Sequence, residues 1–259
     1  MKTALVGYTG FVGSNLDSQN QFDDKYNSSN IGDIDGKTYD LVVSAAARSE
    51  MWRINQDPEK DLAEVQSLID HLKRIKTKNF VLISTVGVYK NPINVNEDTP
   101  ISKDGLPPYG LNRYYLEQFC TGHFNTLIVR LPGLFGAGLK KNVIYDLLHN
   151  NNVDRIHHAG SYQYYNLANI WKDIQVALAH SLNLVNFATE PVRTNEVAKG
   201  CFGIEGFNNE PDGISPASFD MHTKYAEIFG GKGNYIYSKQ QELNDIKTFI
   251  KREKHVLQV

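Results

Sequence analysis

The sequence predicts an α/β fold, a doubly wound parallel sheet with a smaller C-terminal region, and three observations predict it. The chain opens on a short apolar run, Ala4-Leu5-Val6, which leads through Gly7-Tyr8-Thr9-Gly10-Phe11-Val12-Gly13 into a helix-compatible segment. Strand, glycine turn and helix in that order begin a βαβ unit. Later apolar runs are continuous rather than alternating, as at Leu41-Val42-Val43 and Phe80-Val81-Leu82-Ile83, which suits parallel strands covered on both faces. Between those two runs Leu62, Val65, Leu68, Ile69, Leu72 and Ile75 recur at helical spacing.

The 259 residues are 41% hydrophobic and 22% charged, with a formal charge of −2. That is enough apolar material for a sizeable core, and the charge balance excludes a basic nucleic-acid surface. The apolar runs are strand-sized, so no membrane-spanning helix is expected. Met1-Lys2-Thr3 runs straight into a strand and leaves no room for a leader, so the expectation is a cytoplasmic protein. Two cysteines, Cys120 and Cys201, make neither a disulfide framework nor a zinc site, and the eight histidines show no H-x-x-x-H spacing. No metal is expected.

Each glycine of the opening turn has its own task. Gly7 lets the backbone turn off the strand, Gly10 lets a pyrophosphate approach the main chain, and Gly13 lets the helix sit close to the strand. Phosphates would lie against free N–H groups at the helix N-terminus. The G-x-x-G-x-x-G spacing resembles the extended short-chain dehydrogenase/reductase family, the nucleotide-sugar epimerase and dehydratase group. The resemblance implies a Rossmann-type domain over residues 1–133 that binds NAD(P), with Gly7, Thr9, Gly10, Phe11, Val12 and Gly13 at the cofactor. It implies a substrate-binding region over 134–259, interleaved with the first.

A second strand is read as ending near Asn27. A carboxylate at that tip would hold the 2′-hydroxyl of NAD and repel the 2′-phosphate of NADP. Asn27-Ser28-Ser29 stand there instead, which tilts the choice toward NADP and makes Asn27 and Ser28 cofactor candidates; a plain polar turn is the alternative. The family's next helix and strand are missing from the short spacer that follows. By resemblance Asp33 and Ile34 line the adenine pocket, or else form a simple loop. Tyr39 to Ala47 reads as a buried strand whose end, Ala45, Ala46 and Ala47, leaves room for the cofactor ribose. Asp57 and Pro58 then cap a helix, read as core packing rather than site.

Asn79 to Tyr89 reads as the next strand and its exit. By position relative to Val88-Tyr89, the resemblance makes Thr85 the hydroxyl that hydrogen-bonds the reacting oxygen. The segment Tyr109-Gly110-Leu111-Asn112-Arg113, with Glu117 four residues on, is similar to the family's Tyr-Gly-x-Ser-Lys motif, with Asn for Ser and Arg for Lys. On a helix, i and i+4 share a face, so Tyr109 and Arg113 address one site. Proton exchange by a tyrosine, ordinarily of pKa about 10, needs a nearby cation to favour the phenolate. Arg supplies charge, but its planar fork differs from an ammonium and cannot relay a proton, which puts turnover in doubt more than cofactor binding. Thr85, Tyr109 and Arg113 are the catalytic candidates, with Tyr109 and Arg113 also at the cofactor.

Thr126 to Gly136 is similar to the family's strand and following loop, where Pro132, Gly133 and Leu134 would contact the nicotinamide carboxamide. Residues 134–166, with Tyr162, Tyr164 and Tyr165, read as substrate wall. Ile170 to Leu182 reads as a helix and Leu184 to Ala188 as a strand. Thr194 caps a short helix, and Ser238 with Gln241 opens the terminal helix. Arg48 and Arg193 are the substrate candidates, because arginine matches phosphate oxygens bidentately; Arg193 stands on a loop after a strand, where ligand contacts collect.

The expected function is an NAD(P)-dependent oxidoreductase or epimerase, working by hydride transfer on a nucleotide sugar or similar polar, phosphate-bearing substrate. Val86-Gly87 stand where a dehydratase of the family would place Asp-Glu, which argues against dehydration. A non-catalytic NAD(P)-binding sensor or scaffold is the alternative, supported by Arg113 and the compressed region 27–36. The resemblance also allows a homodimer through the Tyr109 helix. Neither a nucleic acid nor a membrane is expected as partner.

Overall fold

The structure is a computed structural model that describes residues 1–257, with side chains described to residue 255. Two compact units share the chain: residues 1–91, 97–131 and 168–186 form the first, and residues 92–96, 132–167 and 187–259 the second.

In the first unit, β1 (Thr3–Val6), α1 (Phe11–Gln19), β2 (Asp24–Tyr26), β3 (Thr38–Ser44), α2 (Met51–Gln56), α3 (Pro58–Leu72), β4 (Lys76–Thr85), α4 (Pro108–His123), β5 (Thr126–Leu131), α5 (Ile170–Ala179) and β6 (Leu184–Asn186) follow in chain order. The six strands make one parallel sheet in the order β6-β5-β4-β3-β1-β2. Strand order reverses beside β1, the arrangement that opens a crevice at the carboxyl ends of the strands. The spacer after β2 holds only a 3₁₀ turn at Ile31–Ile34. The chain therefore passes from β2 straight to β3, and β2 is an edge strand.

The apolar runs explain the layering. Leu41, Val42, Val43, Phe80, Val81 and Leu82 are all buried, since a parallel strand has a helix on each side. On one face α3 and α4 close over Val42, Phe80 and Leu82 with Val65, Ile69 and Leu116. On the other, α1 meets α5, where Gln19 Oε1 accepts from Trp171 N at 3.2 Å and Phe22 meets the Trp171 ring edge-on. Asp57 caps α3 by accepting from Lys60 N, with Pro58 in the first turn, as the local sequence predicts. Residues 51–56, given no element by sequence reading, form α2.

The stretch 168–186, read in sequence as part of the C-terminal region, belongs to the first unit. Val185 pairs with Val129 and Asn186 with Arg130, and this hydrogen bonding adds β6 to the central sheet. The strand is shorter than expected, ending at Asn186.

The second unit has its own core. Tyr164, Val192, Val197, Ile246 and Ile250 pack together between the helices Val143–His149, Thr194–Phe202 and Lys239–Leu257. Ser238 opens the terminal helix, its Oγ accepting from Gln241 N.

Candidate active site

The glycine turn is shaped by packing at two of its three glycines. Gly7 leaves β1 with φ of +88°, and a Cβ on it would stand 2.6 Å from Ala45 O. A Cβ on Gly13 would stand 2.0 Å from Gly7 O. No side chain fits at either position. Gly10 differs: its nearest neighbour would be Gly7 O at 3.3 Å, then Ala45 O at 3.9 Å. Gly10 is less crowded than the other two and is exposed. Gly10 is the N-cap of α1, without a side-chain cap and without an acid in the first turn. Phe11, Val12 and Gly13 therefore present a bare, positive helix end where a dinucleotide phosphate fits the donor set. Ala45 and Ala46 lie against this turn; Thr9 is exposed on it.

Asn27 follows β2 directly, its Nδ2 3.3 Å from the Tyr8 hydroxyl and its Oδ1 accepting from Ser29 N. Ser28 is exposed beside it, and no carboxylate stands in 27–30. Asp24, at the start of β2, is engaged by the Tyr39 hydroxyl at 2.7 Å, which holds its carboxyl below the usual range. Ile34 is fully buried and packs in the α3 core. Its side chain is consumed there, so exposed Asp33 and the main chain are what that turn offers a ligand.

Thr85 ends β4, and its Oγ1 accepts from Gly87 N at 3.1 Å. Across the turn stands Tyr109, in the first turn of α4, its amide donating to Asn55 Oδ1 at 3.0 Å. Gly87 lies between them. A Cβ there would be 2.8 Å from Tyr109 Cε1 and 3.4 Å from Thr85 Oγ1, so both side chains border one small space. Gly110 makes the approach possible, because a Cβ on it would stand 2.1 Å from Gly87 O. Thr85 and Tyr109 are thus brought together by two glycines touching, one on the strand exit and one on the helix.

Arg113 is on the same face, its Cζ 5.1 Å from the centre of the Tyr109 ring. Its fork is not free. Nη2 donates to Asp61 Oδ1 at 2.7 Å and Nη1 to Asp61 Oδ2 at 3.1 Å, while Nη2 also donates to Arg48 O at 2.8 Å. Asn112 Nδ2 donates to the same Asp61 at 2.8 Å. All three side chains are buried, and the Arg113 Nε has no partner among the described residues. Sequence reading missed Asp61. The signal was present: Asp61 falls in register with Val65, Ile69 and Leu72 on the buried stripe of α3, where an unpaired charge is not tolerated. Leu62, read as core, is instead exposed.

A second buried pair stiffens the floor. Glu117 accepts from Arg130 Nη2 at 2.6 Å and Nε at 3.0 Å, and from Ser84 Oγ at 2.5 Å. Arg130 Nη1 donates to the Tyr89 hydroxyl at 2.7 Å. Burial opposes the charge on Arg130, but Glu117 outweighs it and holds the guanidinium above its ordinary pKa; burial also raises that of Tyr89. This network ties the ends of β4 and β5 to α4, one residue below Thr85.

The Arg48 side chain is exposed and pairs with Glu64, Nε to Oε2 at 2.6 Å. In the second unit, Pro132 follows β5, and Gly133 and Leu134 begin a short strand pairing with Tyr164 and Tyr165. Arg193 is the exposed N-cap of the helix Thr194–Phe202, its amide donating to Glu196. Tyr164 and Tyr165, read in sequence as substrate wall, are core: both are essentially fully buried. Tyr162 is half-buried.

The fold is that of several solved nucleotide-sugar enzymes. MoeE5 in complex with UDP-glucose and NAD is similar at a TM-score of 0.74 and 15% identity, over 99% of this chain and 100% of that one. UDP-glucose 4-epimerase from Thermotoga maritima with UDP-glucose gives 0.72 and 16%, over 99% and 100%. RMD from Pseudomonas aeruginosa complexed with NADPH gives 0.68 and 18%, over 98% and 100%. No curated protein sequence matches the chain. A parallel sheet with a glycine turn at its first crossover and a Tyr-x-x-x-Arg helix beside its fourth strand defines the class as dinucleotide-binding α/β. Residues 26–171 match the NAD dependent epimerase/dehydratase family, and the chain belongs to it. Among the described residues no helix is long and apolar enough to cross a membrane.

Proposed function

We propose that the protein is an NAD(P)-dependent oxidoreductase or epimerase that acts by hydride transfer on a nucleotide sugar. The observation that carries the reading is the convergence of Thr85 Oγ1 and the Tyr109 ring around Gly87, on the same sheet as an uncapped helix end fit for a diphosphate. MoeE5, the Thermotoga epimerase and RMD, with UDP-glucose and NAD, UDP-glucose, and NADPH respectively, support the substrate and cofactor classes. When bound, the nicotinamide supplies the hydride chemistry. The chain's own residues do the rest. The main chain of residues 10–13 holds phosphate, Thr85 orients the substrate oxygen, and Tyr109 gives or takes its proton. NADP is favoured over NAD, because Asn27 and Ser28 stand where a carboxylate would repel a 2′-phosphate.

A second reading is a non-catalytic NAD(P)-binding sensor. The engagement of Arg113 by Asp61 favours it, since that charge is answered by a carboxylate. Side-by-side fluorescence titration with NADPH and NADH tests cofactor binding, and Tyr109→Phe separates the two readings. As an enzyme, the variant loses at least ~10²-fold in turnover with cofactor affinity unchanged. Full biological activity in Tyr109→Phe favours the sensor, and absence of binding to either dinucleotide overturns both.

A further inference from the structure

The position that carries a cation toward the cofactor in the reading above is, in this chain, a strut. Three pieces of backbone meet at the Arg113 guanidinium: α3 through Asp61, α4 through Arg113 itself, and the exit of β3 through the Arg48 carbonyl. Both hydrogens of Nη2 are used, one by Asp61 Oδ1 and one by Arg48 O. A lysine ammonium lacks the planar fork that takes both Asp61 oxygens side by side while also holding the Arg48 carbonyl. The fork is aimed by Asp61, itself fixed by Asn112 Nδ2 and by its place in the first turn of α3, where the helix dipole favours a carboxylate. Arg48 follows Ala45–Ala47, and Ala45 lies against the glycine turn. What Arg113 holds is therefore the stretch of main chain that leaves β3 against the glycine turn.

We propose that Asp61 is a positioning residue of the nucleotide site. It directs Arg113 onto the Arg48 carbonyl and so sets the β3 exit, whose Ala45 and Ala46 pack on the glycine turn that would receive the dinucleotide phosphates. This rests on the reading that the chain binds NAD(P). Asp61 touches no ligand. Removing its charge lets the fork turn and releases the carbonyl, and with it the Ala45–Ala46 main chain on which Gly7 packs.

The test is Asp61→Asn, which keeps the volume and one acceptor. Affinity is measured for NADPH and NADH by fluorescence and for ADP by calorimetry, with thermal melts of each protein. The expected result is a loss on the order of ten-fold for the dinucleotide and for ADP alike, read well below the melting temperature of the variant, because Ala45 and Ala46 pack on the turn that would hold the diphosphate. A purely structural role would lower the melting temperature and leave the affinities of the folded variant unchanged, and that outcome overturns the proposal. So does a tighter dinucleotide, which would mean that Arg113 reaches the cofactor better once freed. Should Asp61→Asn not fold, the double variant Asp61→Ala with Arg113→Met removes both charges together. The same loss is expected of it, and wild-type dinucleotide affinity there overturns the proposal. Wild-type protein that binds neither dinucleotide nor ADP overturns the cofactor reading itself, which the variants leave separate.

Discussion

Gly110→Ala is a substitution on which local propensity and tertiary packing disagree in sign. In a helix interior alanine is favoured over glycine by about 1 kcal/mol, so α4 taken alone should gain. The new Cβ, however, stands 2.1 Å from Gly87 O and 3.1 Å from Leu106 Cδ1. Ordinary contact begins near 3.4 Å, and the first obstacle is backbone, so the helix start must retreat by roughly 1 Å. Overpacking of this kind costs about 1–3 kcal/mol, leaving a net loss of up to about 2 kcal/mol after the propensity gain. At roughly 2–4 °C per kcal/mol, the melting temperature should fall by several degrees. Gly122 on the same helix is the control, because a Cβ there meets nothing within 4 Å. Gly122→Ala should raise the melting temperature or leave it unchanged. Tyr109 precedes Gly110, and a displacement of 1 Å at a reacting group costs about 10²-fold in rate. Gly110→Ala should therefore lose turnover while binding ADP normally. If Gly110→Ala stabilises as much as Gly122→Ala and keeps its turnover, the glycine contact does not hold Tyr109, and the reasoning fails.

Two further outcomes follow from the buried charges. Glu117→Ala leaves Arg130 buried and unpaired and should cost about 3–5 kcal/mol, read by urea denaturation; a loss under about 1 kcal/mol would mean that the pair with Arg130 does not stiffen the sheet end. Glu242, on the terminal helix, is buried with Oε1 accepting from Tyr164 N at 3.0 Å, and burial pushes its carboxyl well above the ordinary range. The folded state then keeps a proton that the unfolded chain gives up. Stability falls as pH rises above the unfolded value of about 4.5, by up to about 1.4 kcal/mol per pH unit until the folded group itself titrates. Glu242→Gln should flatten that slope and raise the melting temperature at pH 8, and an unchanged slope would assign it to other groups.

What the sequence by itself determined is local. Glycine spacing marks the turn from β1 into α1, because a φ of +88° at Gly7 and a 2.0 Å approach at Gly13 exclude every other residue type. Asp57-Pro58 and Ser238 mark helix starts, since capping involves residues three apart. Continuous apolar runs mark buried parallel strands, and the i, i+4 spacing places Tyr109 and Arg113 on one face. The tertiary structure alone decided what Arg113 faces. Its partners, Asp61 and the Arg48 carbonyl, lie 52 and 65 residues away, and no periodicity connects positions so distant. It also decided that Ile34, Tyr164 and Tyr165 are core, and that residues 168–186 return to the central sheet beside β5. A helix or a turn is written in neighbouring residues, whereas burial and charge pairing depend on which surfaces the folded chain brings together.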